Sequence, residues 1–229
     1  MTFLSGSITP FHAVEVMAKT LQRAGFGQLD QFDAVRMTPG KGYFVVHQGS
    51  SLMAVRAGQS GVETGLHLVG AHTDSPNLSV KPNPVKGRDG CIQLGVDVYG
   101  GALLNPWFDR DLGMAGRLSM LTPDNALRTT LFDTGRAVAV IPSLAIHLDR
   151  EANTQRSINR QKDVVPLVML GEHEQYDLKA WLAQELARVD SQWQGARVMD
   201  YELSLYDTQP PNQIGIDGDF ITSARLDNL

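Results

Sequence analysis

The stretch LHLVGAHTDSP, residues 66–76, contains a short apolar run that ends in a histidine and an aspartate. Residues 66–71 are mostly apolar and are soon followed by a proline, the pattern of a central strand. His72 and Asp74 follow directly, at the position where a rigid scaffold commonly presents catalytic groups to substrate. The stretch therefore predicts a functional site at the end of a buried strand.

The chemistry of this pair favours a metal. An imidazole is a good ligand for zinc, and the imidazole of a metal ligand usually donates its other N–H to a carboxylate that fixes the tautomer. Asp74 is placed to do this for His72, or to contact a metal itself. The alternative is a capping aspartate beside a structural histidine, because a bare His-x-Asp triplet is frequent by chance.

A second candidate is Asp227 in the segment SARLDNL. A carboxylate can ligate one divalent cation or bridge two. The alternative is a surface aspartate that caps a turn or a helix start.

His147, between Ile146 and Leu148, is predicted from its neighbours alone to be a partly buried structural residue. The same interpretation applies to the remaining histidines, namely His12, His47, His67 and His173.

Composition excludes several functional classes. The net charge is −5 over 229 residues and no Lys/Arg cluster occurs, so a nucleic-acid partner is not expected. No run is long and apolar enough for a membrane span, and the first residues lack the pattern of an export signal. Cys91 is the only cysteine, which excludes an intramolecular disulfide and fits a cytoplasmic location.

The segment WFDRDL, with Arg110 between Asp109 and Asp111, predicts a structural ion-pair cluster.

The pattern of the chain changes near residue 86. Before it, a helix from about residue 10 to Gly25 and a hairpin around residues 48–51 are predicted. Residues 81–90 contain prolines and glycines and predict a loop, after which short strands include residues 117–121, 127–132 and 137–141. Asp177 caps a predicted helix, and residues 199–205 alternate as a strand with Met199 on its buried face.

Taken together, five segments resemble the M18 family, the aspartyl aminopeptidases. They are spread in order over most of the chain from about residue 67, and they are GAHTDSP, KPNP, YGGALLNPWFDRDLGMAGRL, IPSLAIHLDRE and RLDNL. The resemblance implies an α/β fold, a mixed-sheet metallopeptidase domain interrupted by a β-rich dimerisation domain. We expect the partial metallopeptidase domain at residues 1–86 and 209–229 and the inserted domain at residues 87–208.

The resemblance also implies a role for each candidate. His72 matches a metal ligand, Asp227 matches a bridging metal ligand, and Asp74 matches the catalytic-site residue that orients the histidine. His147 matches a histidine that reaches the active site of a neighbouring subunit and helps to hold substrate. The cofactor would be two divalent ions, zinc in most members, with cobalt or manganese as alternatives.

The implied activity is removal of N-terminal residues, Asp or Glu preferred, from peptides by a homo-oligomer between a dimer and a dodecamer. In the family the general-base glutamate belongs to a Glu-Glu pair after the RLDNL segment, with further ligands beyond it. This chain contains no Glu-Glu pair. We therefore expect it to be roughly the N-terminal half of such an enzyme, inactive alone.

Two other functions stay open on the sequence. One is a non-catalytic assembly module, in which the inserted domain forms dimers or larger shells. The other is a related co-catalytic deacylase or carboxypeptidase, because a His-x-Asp followed later by an aspartate is shared among these hydrolases. The WFDRDLGMAGRL and LAIHLDRE segments favour M18 over the second alternative.

Overall fold

The described residues form a mixed α/β structure, as predicted. The computed structural model describes residues 1–32, 36–60, 65–171 and 176–227. One unit comprises Met1–Ser75 and Pro211–Leu229, and the other comprises Pro76–Pro210. The division into units begins at Pro76, and the sequence pattern changes ten residues later, near residue 86.

The first unit is built on an amphipathic helix and a small sheet. Pro10 stands at the first position of the long helix, and Gly25 follows its end at φ +81°, a conformation that glycine adopts without strain. This helix packs on the sheet, where Ala13, Val14 and Phe44 are buried. The helices are α1 (Thr2–Gly6) and α2 (Pro10–Arg23), and the strands are β1 (Gly27–Gln28), β2 (Gly42–His47) and β3 (Ser51–Arg56), in the order β1-β2-β3. The predicted hairpin is the antiparallel β2–β3 pair.

The prediction of a buried strand at residues 66–71 is wrong for this chain. All six residues are exposed and none is in a strand; Val69 is 98% and Leu68 is 88% exposed. A central strand needs hydrogen-bonding neighbours on both sides and a covering layer on both faces. Among the described residues of the first unit, β2 and β3 pair with each other and no strand pairs with residues 66–71.

A six-stranded antiparallel sheet forms the second unit. Its order is β7-β6-β9-β4-β5-β8. The strands are β4 (Asn77–Arg88), β5 (Cys91–Tyr99), β6 (Leu112–Leu121), β7 (Leu127–Asp133), β8 (Leu167–Leu170) and β9 (Arg197–Asp207). Helix α3 (Leu178–Val189) packs on β9, and Asp177 caps it by accepting a hydrogen bond from the Ala180 N–H at 3.1 Å, as predicted. Leu178, Leu182 and Leu186 of this helix join the buried core.

Residues 81–90 were predicted to be a loop, and most of them lie in β4. The pairing of β4 with β5 shifts register between Val80 and Val85, and both prolines fall in that interruption. A proline cannot donate to a ladder, so a bulge is one of the few places where a strand tolerates it. Asp89 and Gly90, at φ +51° and +72°, then form the turn into β5.

Two smaller differences have similar causes. Met199 was expected on the buried face of β9, but it is 46% exposed because β9 bulges there: Asp200 pairs with Ser119 and Val198 with Met120. Residues 137–141 form only isolated bridges, for example Leu112 with Ala139, and no named strand. None of the helices in the described ranges has the length and hydropathy needed to cross a membrane.

The chain returns to the first unit at Pro211 and forms a second hairpin. Strands β10 (Asn212–Ile214) and β11 (Phe220–Thr222) pair antiparallel around a turn that contains Gly218, which has φ +73°. The segment that contains Asp227 follows this hairpin.

Candidate metal centre

His72 and Asp74 form a local pair. The imidazole Nδ1 lies 2.7 Å from the backbone carbonyl oxygen of Asp74 and 3.1 Å from its Oδ1. Both oxygens are acceptors when the carboxyl is ionised, so Nδ1 must carry the proton for either contact to be a hydrogen bond. In the neutral ring this leaves the lone pair on Nε2, the atom that would bind a metal.

Asp227 lies opposite this lone pair. Its Oδ2 is 3.7 Å from His72 Nε2, beyond hydrogen-bonding distance. The side chains of His72, Asp74 and Asp227 are 31%, 33% and 41% exposed, so the three groups line an open, solvent-accessible site of the first unit. The structure thus brings together the three residues that the sequence analysis singled out in two distant segments.

These distances fit a shared cation. Two atoms bound to one zinc ion at about 2.0–2.2 Å lie roughly 3–4 Å apart, which spans the separation between Nε2 and Oδ2. When the imidazole is neutral, its Nε2 lone pair and the Asp227 carboxylate repel each other, and a cation between them removes that repulsion. Among the described residues, no group of three or more His, Cys, Asp or Glu side chains is arranged to hold a metal. His72 and Asp227 could therefore supply only part of a coordination shell.

Two further contacts, which the sequence does not reveal, fix the segments that bear these residues. The Thr73 hydroxyl donates to the backbone carbonyl of Ser50 at 2.8 Å, which ties the His72 segment to the turn of the β2–β3 hairpin. The Arg225 guanidinium donates through Nη2 to the carbonyl of Leu4 in α1 at 3.2 Å, which ties the Asp227 segment to the first helix. Both acceptors are main-chain oxygens, so no residue type at positions 50 or 4 signals the contact.

The remaining histidines differ from one another. His147 belongs to the second unit and is exposed, so the prediction of a partly buried structural residue is wrong. His12 Nδ1 lies 2.8 Å from Thr9 Oγ1 and His47 Nδ1 lies 2.6 Å from Gln31 Oε1, while His67 is exposed. His173 lies outside the described residues.

The predicted ion-pair cluster at residues 109–111 has different partners. Arg110 pairs with Asp207, with Nη1 3.5 Å from Oδ2, and donates to Gln209 Oε1 at 2.9 Å. Asp109 instead accepts from the backbone N–H of Ser143. The charges of this segment therefore join it to distant parts of the second unit.

Comparison with known proteins decides the family. The model of the family described as aminopeptidase I zinc metalloprotease (M18) matches residues 3–229. The chain belongs to the M18 family. This membership favours an aminopeptidase over the related deacylases and carboxypeptidases.

Similar proteins cover the whole of this M18 chain but extend beyond it. The probable M18 family aminopeptidase 2 of Pseudomonas putida is 48% identical over 229 residues, which are 99% of this chain and 53% of that protein. Among solved structures, mApe1 of Chaetomium thermophilum is 30% identical with a TM-score of 0.81. The match covers 96% of this chain and 52% of the mApe1 chain. The S. cerevisiae mApe1 dodecamer is 25% identical with a TM-score of 0.75, over 96% of this chain and 50% of that one. The M18 chain therefore spans about half the length of the curated relatives it matches.

Proposed function

We propose that this M18 chain contributes two metal ligands, His72 and Asp227, to the dinuclear centre of an aminopeptidase. The observation that carries the proposal is the 3.7 Å separation between His72 Nε2 and Asp227 Oδ2, with Nδ1 held by Asp74. These residues lie far apart in the sequence, and a structural role for either would not require that they face each other. The description of the family as zinc metalloproteases supports zinc, with cobalt and manganese as alternatives.

Each residue has a distinct task in this proposal. Asp74 accepts the Nδ1 proton of His72, which holds the ring in one orientation and raises the basicity of Nε2. Asp227 offers a carboxylate that can bridge two cations. Paired divalent ions supply the chemistry of peptide hydrolysis when bound, by polarising the scissile carbonyl and lowering the pKa of water. The general base and the other ligands would come from sequence after RLDNL, and this 229-residue chain would be inactive alone.

Family membership supports a proposal for the substrate and the assembly. The substrate would be a peptide with a free N-terminus, with Asp or Glu preferred at its first position, by resemblance to the aspartyl aminopeptidases. His147, exposed in the second unit, would contact substrate in a neighbouring subunit, and the second unit would be the dimerisation domain. The dodecamer of the yeast relative supports a homo-oligomer.

The metal site can be tested on this chain by titration with Co²⁺, followed by absorption spectroscopy and calorimetry. We expect His72→Ala and Asp227→Ala each to abolish measurable binding, because these two are the only ligands that the proposed site takes from the described residues. His67→Ala is the matched control, since His67 is an exposed histidine of the same segment and should bind as the parent chain does. Binding that survives both ligand substitutions would refute the proposed site.

The activity is tested with aspartyl-p-nitroanilide and added zinc, cobalt or manganese. We expect the 229-residue chain to give background turnover, because a dinuclear site without its base cannot activate water. A longer form that includes the region after RLDNL, as in the relatives, should hydrolyse the substrate, and His72→Ala in that form should abolish turnover. Robust hydrolysis by the 229-residue chain would contradict the division of the site.

A further inference from the structure

The loop that contains His147 projects apolar side chains into solvent. Residues 142–163 connect two buried residues of the second unit, Ile141 and Val164. Leu144, Ile146 and Leu148 are 62%, 45% and 74% exposed on either side of His147. Large aliphatic side chains on a surface loop favour collapse onto nearby apolar surface, so a defined loop conformation that keeps them exposed needs specific restraints.

Asp109 restrains the first part of this loop. Its Oδ1 accepts a hydrogen bond from the Ser143 N–H at 2.8 Å, and its own N–H donates to the Ile141 carbonyl at 2.9 Å. Asp109 has φ +58°, a left-handed conformation that is uncommon outside glycine, asparagine and aspartate. The hydrogen bond from Ser143 holds the pKa of Asp109 below its ordinary value, and the nearby Arg156 guanidinium acts in the same direction. The carboxylate is thus an ionised acceptor at neutral pH.

Arg156 restrains the later part of the loop. Its guanidinium carbon lies 4.0 Å from the ring centroid of Phe108, and its Nε lies 3.8 Å from Asp149 Oδ2. The side chains of Arg156 and Asp149 are only 20% and 28% exposed. Asp109 thus holds one end of the His147 segment, at Ser143, and its neighbour Phe108 contacts the other, at Arg156. We call Phe108, Asp109, Asp149 and Arg156 the loop clamp.

Packing alone does not hold the segment around His147. Of the described loop residues, Ile158 packs against the core, whereas residues 144–148 are exposed. A cavity of about 860 Å³ is lined by Phe108, by Leu144, Asp149 and Arg156 of the loop, and by Leu167 of β8. Exposed side chains make few van der Waals contacts that could select one conformation. The clamp contacts therefore act together with the turn hydrogen bonds to the Ala145 carbonyl in restricting residues 143–149.

We propose that Asp109 is a positioning residue which, with Arg156, holds residues 143–149 so that His147 and its apolar neighbours point outward to the substrate site of a second copy. The inference rests on the proposed role of His147 in that site. Asp109 itself contacts no substrate. Its effect on the reaction passes through the Ser143 N–H and the loop conformation.

Hydrogen exchange on this chain tests the clamp directly. Asp109→Gly removes the acceptor while keeping a residue that tolerates φ +58°, and Asp109→Asn keeps both the acceptor and the tolerance. We expect Asp109→Gly to raise exchange of the Ser143 amide about five- to tenfold, the effect of losing one exposed charge-assisted hydrogen bond. Asp109→Asn should stay within about twofold of the parent chain. Asp111→Ala, in the same segment, is the control and should leave loop exchange unchanged.

A second variant keeps the proposal testable if Asp109→Gly fails to fold. Arg156→Gln releases the other end of the clamp by removing the contacts with Phe108 and Asp149, and we expect faster exchange across residues 143–149. Unchanged exchange in the Arg156→Gln variant, or equal exchange in the Asp109→Gly and Asp109→Asn variants, would overturn the clamp.

Kinetics separate the clamp from the role of His147. In the longer, active form, Asp109→Gly should raise KM for the peptide severalfold with little change in kcat, and Asp109→Asn should restore the parent KM. His147→Gln tests the underlying function: if it leaves KM unchanged, the role of His147 fails, whatever the exchange data show. If His147→Gln raises KM but Asp109→Gly does not, the role of His147 stands and the clamp is overturned.

Discussion

At the scale of single residues, the candidate metal centre depends on a residue that would touch no metal. Thr73 lies between His72 and Asp74, and its hydroxyl is bonded to the Ser50 carbonyl. The segment from residue 66 to residue 71 is exposed, so it offers no packing that would hold the pair. The contact of Thr73 with the β2–β3 turn therefore restricts where His72 can lie relative to Asp227.

We predict that Thr73→Val weakens Co²⁺ binding by this chain about tenfold, a typical effect of losing a contact that supports a metal ligand. Valine has the same shape but cannot donate to Ser50. Thr73→Ser restores the hydroxyl and should restore most of the affinity, as measured by the same titration. Equal affinities in the Val and Ser variants would show that the hydroxyl does not position the site.

The Tyr201 hydroxyl is a titratable group packed against main-chain carbonyls of the second unit. Its hydroxyl lies 2.7 Å from the Lys81 carbonyl oxygen and 3.1 Å from that of Pro82, at the bulge of β4. Burial, assisted by the charge of Asp200, raises the pKa of Tyr201 to about 12. Carbonyl oxygens can accept the phenol proton but cannot stabilise a phenolate.

The folded state therefore keeps the Tyr201 proton at a pH where the unfolded chain has lost it. Its contribution to stability is complete below the unfolded pKa of 10.0 and is lost as the pH rises toward 12. We predict that urea midpoints for the second unit fall between pH 10 and pH 12 and that Tyr201→Phe shows a smaller fall. A parallel fall in both proteins would assign the alkaline sensitivity to other groups.

Contacts between site residues could be predicted from the sequence only where the residues are close together along the chain. The contact between His72 and Asp74 is local, so the triplet alone suggested it. Asp227 was linked to them only through family resemblance, because no local pattern encodes a contact between segments so far apart in the sequence. The exposure of His147 was missed since apolar neighbours normally indicate burial, and here the neighbours are exposed as well.

At the scale of elements, the central sheet contains a position where a side chain has no room. Gly116 lies on β6 between β7 and β9, opposite Leu203. A Cβ placed there would lie 1.9 Å from the Glu202 backbone oxygen. That oxygen belongs to a paired strand and cannot move without breaking its ladder.

We predict that Gly116→Ala destabilises the second unit by about 3 kcal/mol or more, at the upper end of overpacking effects. Gly101→Ala is the matched control, because a Cβ there meets nothing within 4 Å, and it should change stability by about 0.5 kcal/mol at most. Chemical denaturation followed by the fluorescence of Trp181 and Trp193 measures both. A small effect of Gly116→Ala would mean that β6 and β9 can separate locally.

Elements with periodic patterns or defined caps were predicted well, and irregular ones were not. α2 and α3 follow from a proline start and an aspartate cap, while the β2–β3 hairpin follows from two apolar runs around a turn. β4 was missed because its prolines occupy a bulge, and a bulge is decided by the partner strand. The strand at residues 66–71 failed for a related reason, since a strand exists only where another strand pairs with it.

At the scale of the whole molecule, the first unit exposes an unusual amount of apolar surface. Three side chains that lie close together in the sequence are 71%, 88% and 98% exposed, namely Leu66, Leu68 and Val69. The β10–β11 segment adds the exposed side chains of Ile216 and Phe220. Surfaces of this kind mark contacts with another polypeptide or cause association. The curated relatives contain about as much chain again.

We predict that the 229-residue chain self-associates and that Leu68→Asp combined with Val69→Lys reduces the association, as measured by light scattering over a concentration series. The paired substitutions add opposite charges, so the net charge stays at −5. Leu127→Asp, at a 70% exposed residue of β7, is the control for the second unit and should change the association less. A monomer at all concentrations would contradict the prediction.

The junctions of the second unit have a further consequence. Its first strand, β4, and its last, β9, are antiparallel neighbours, with Leu78 opposite Leu205. The chain therefore enters and leaves this unit at the same end of adjacent strands. The entropy of closing a connection depends on the distance between its ends and only weakly on the length of chain between them. For the first unit, residues 76–210 therefore act as a short loop whose two ends lie close together. The inserted sequence could lengthen, shorten or be exchanged during evolution without a change in the distance between these ends.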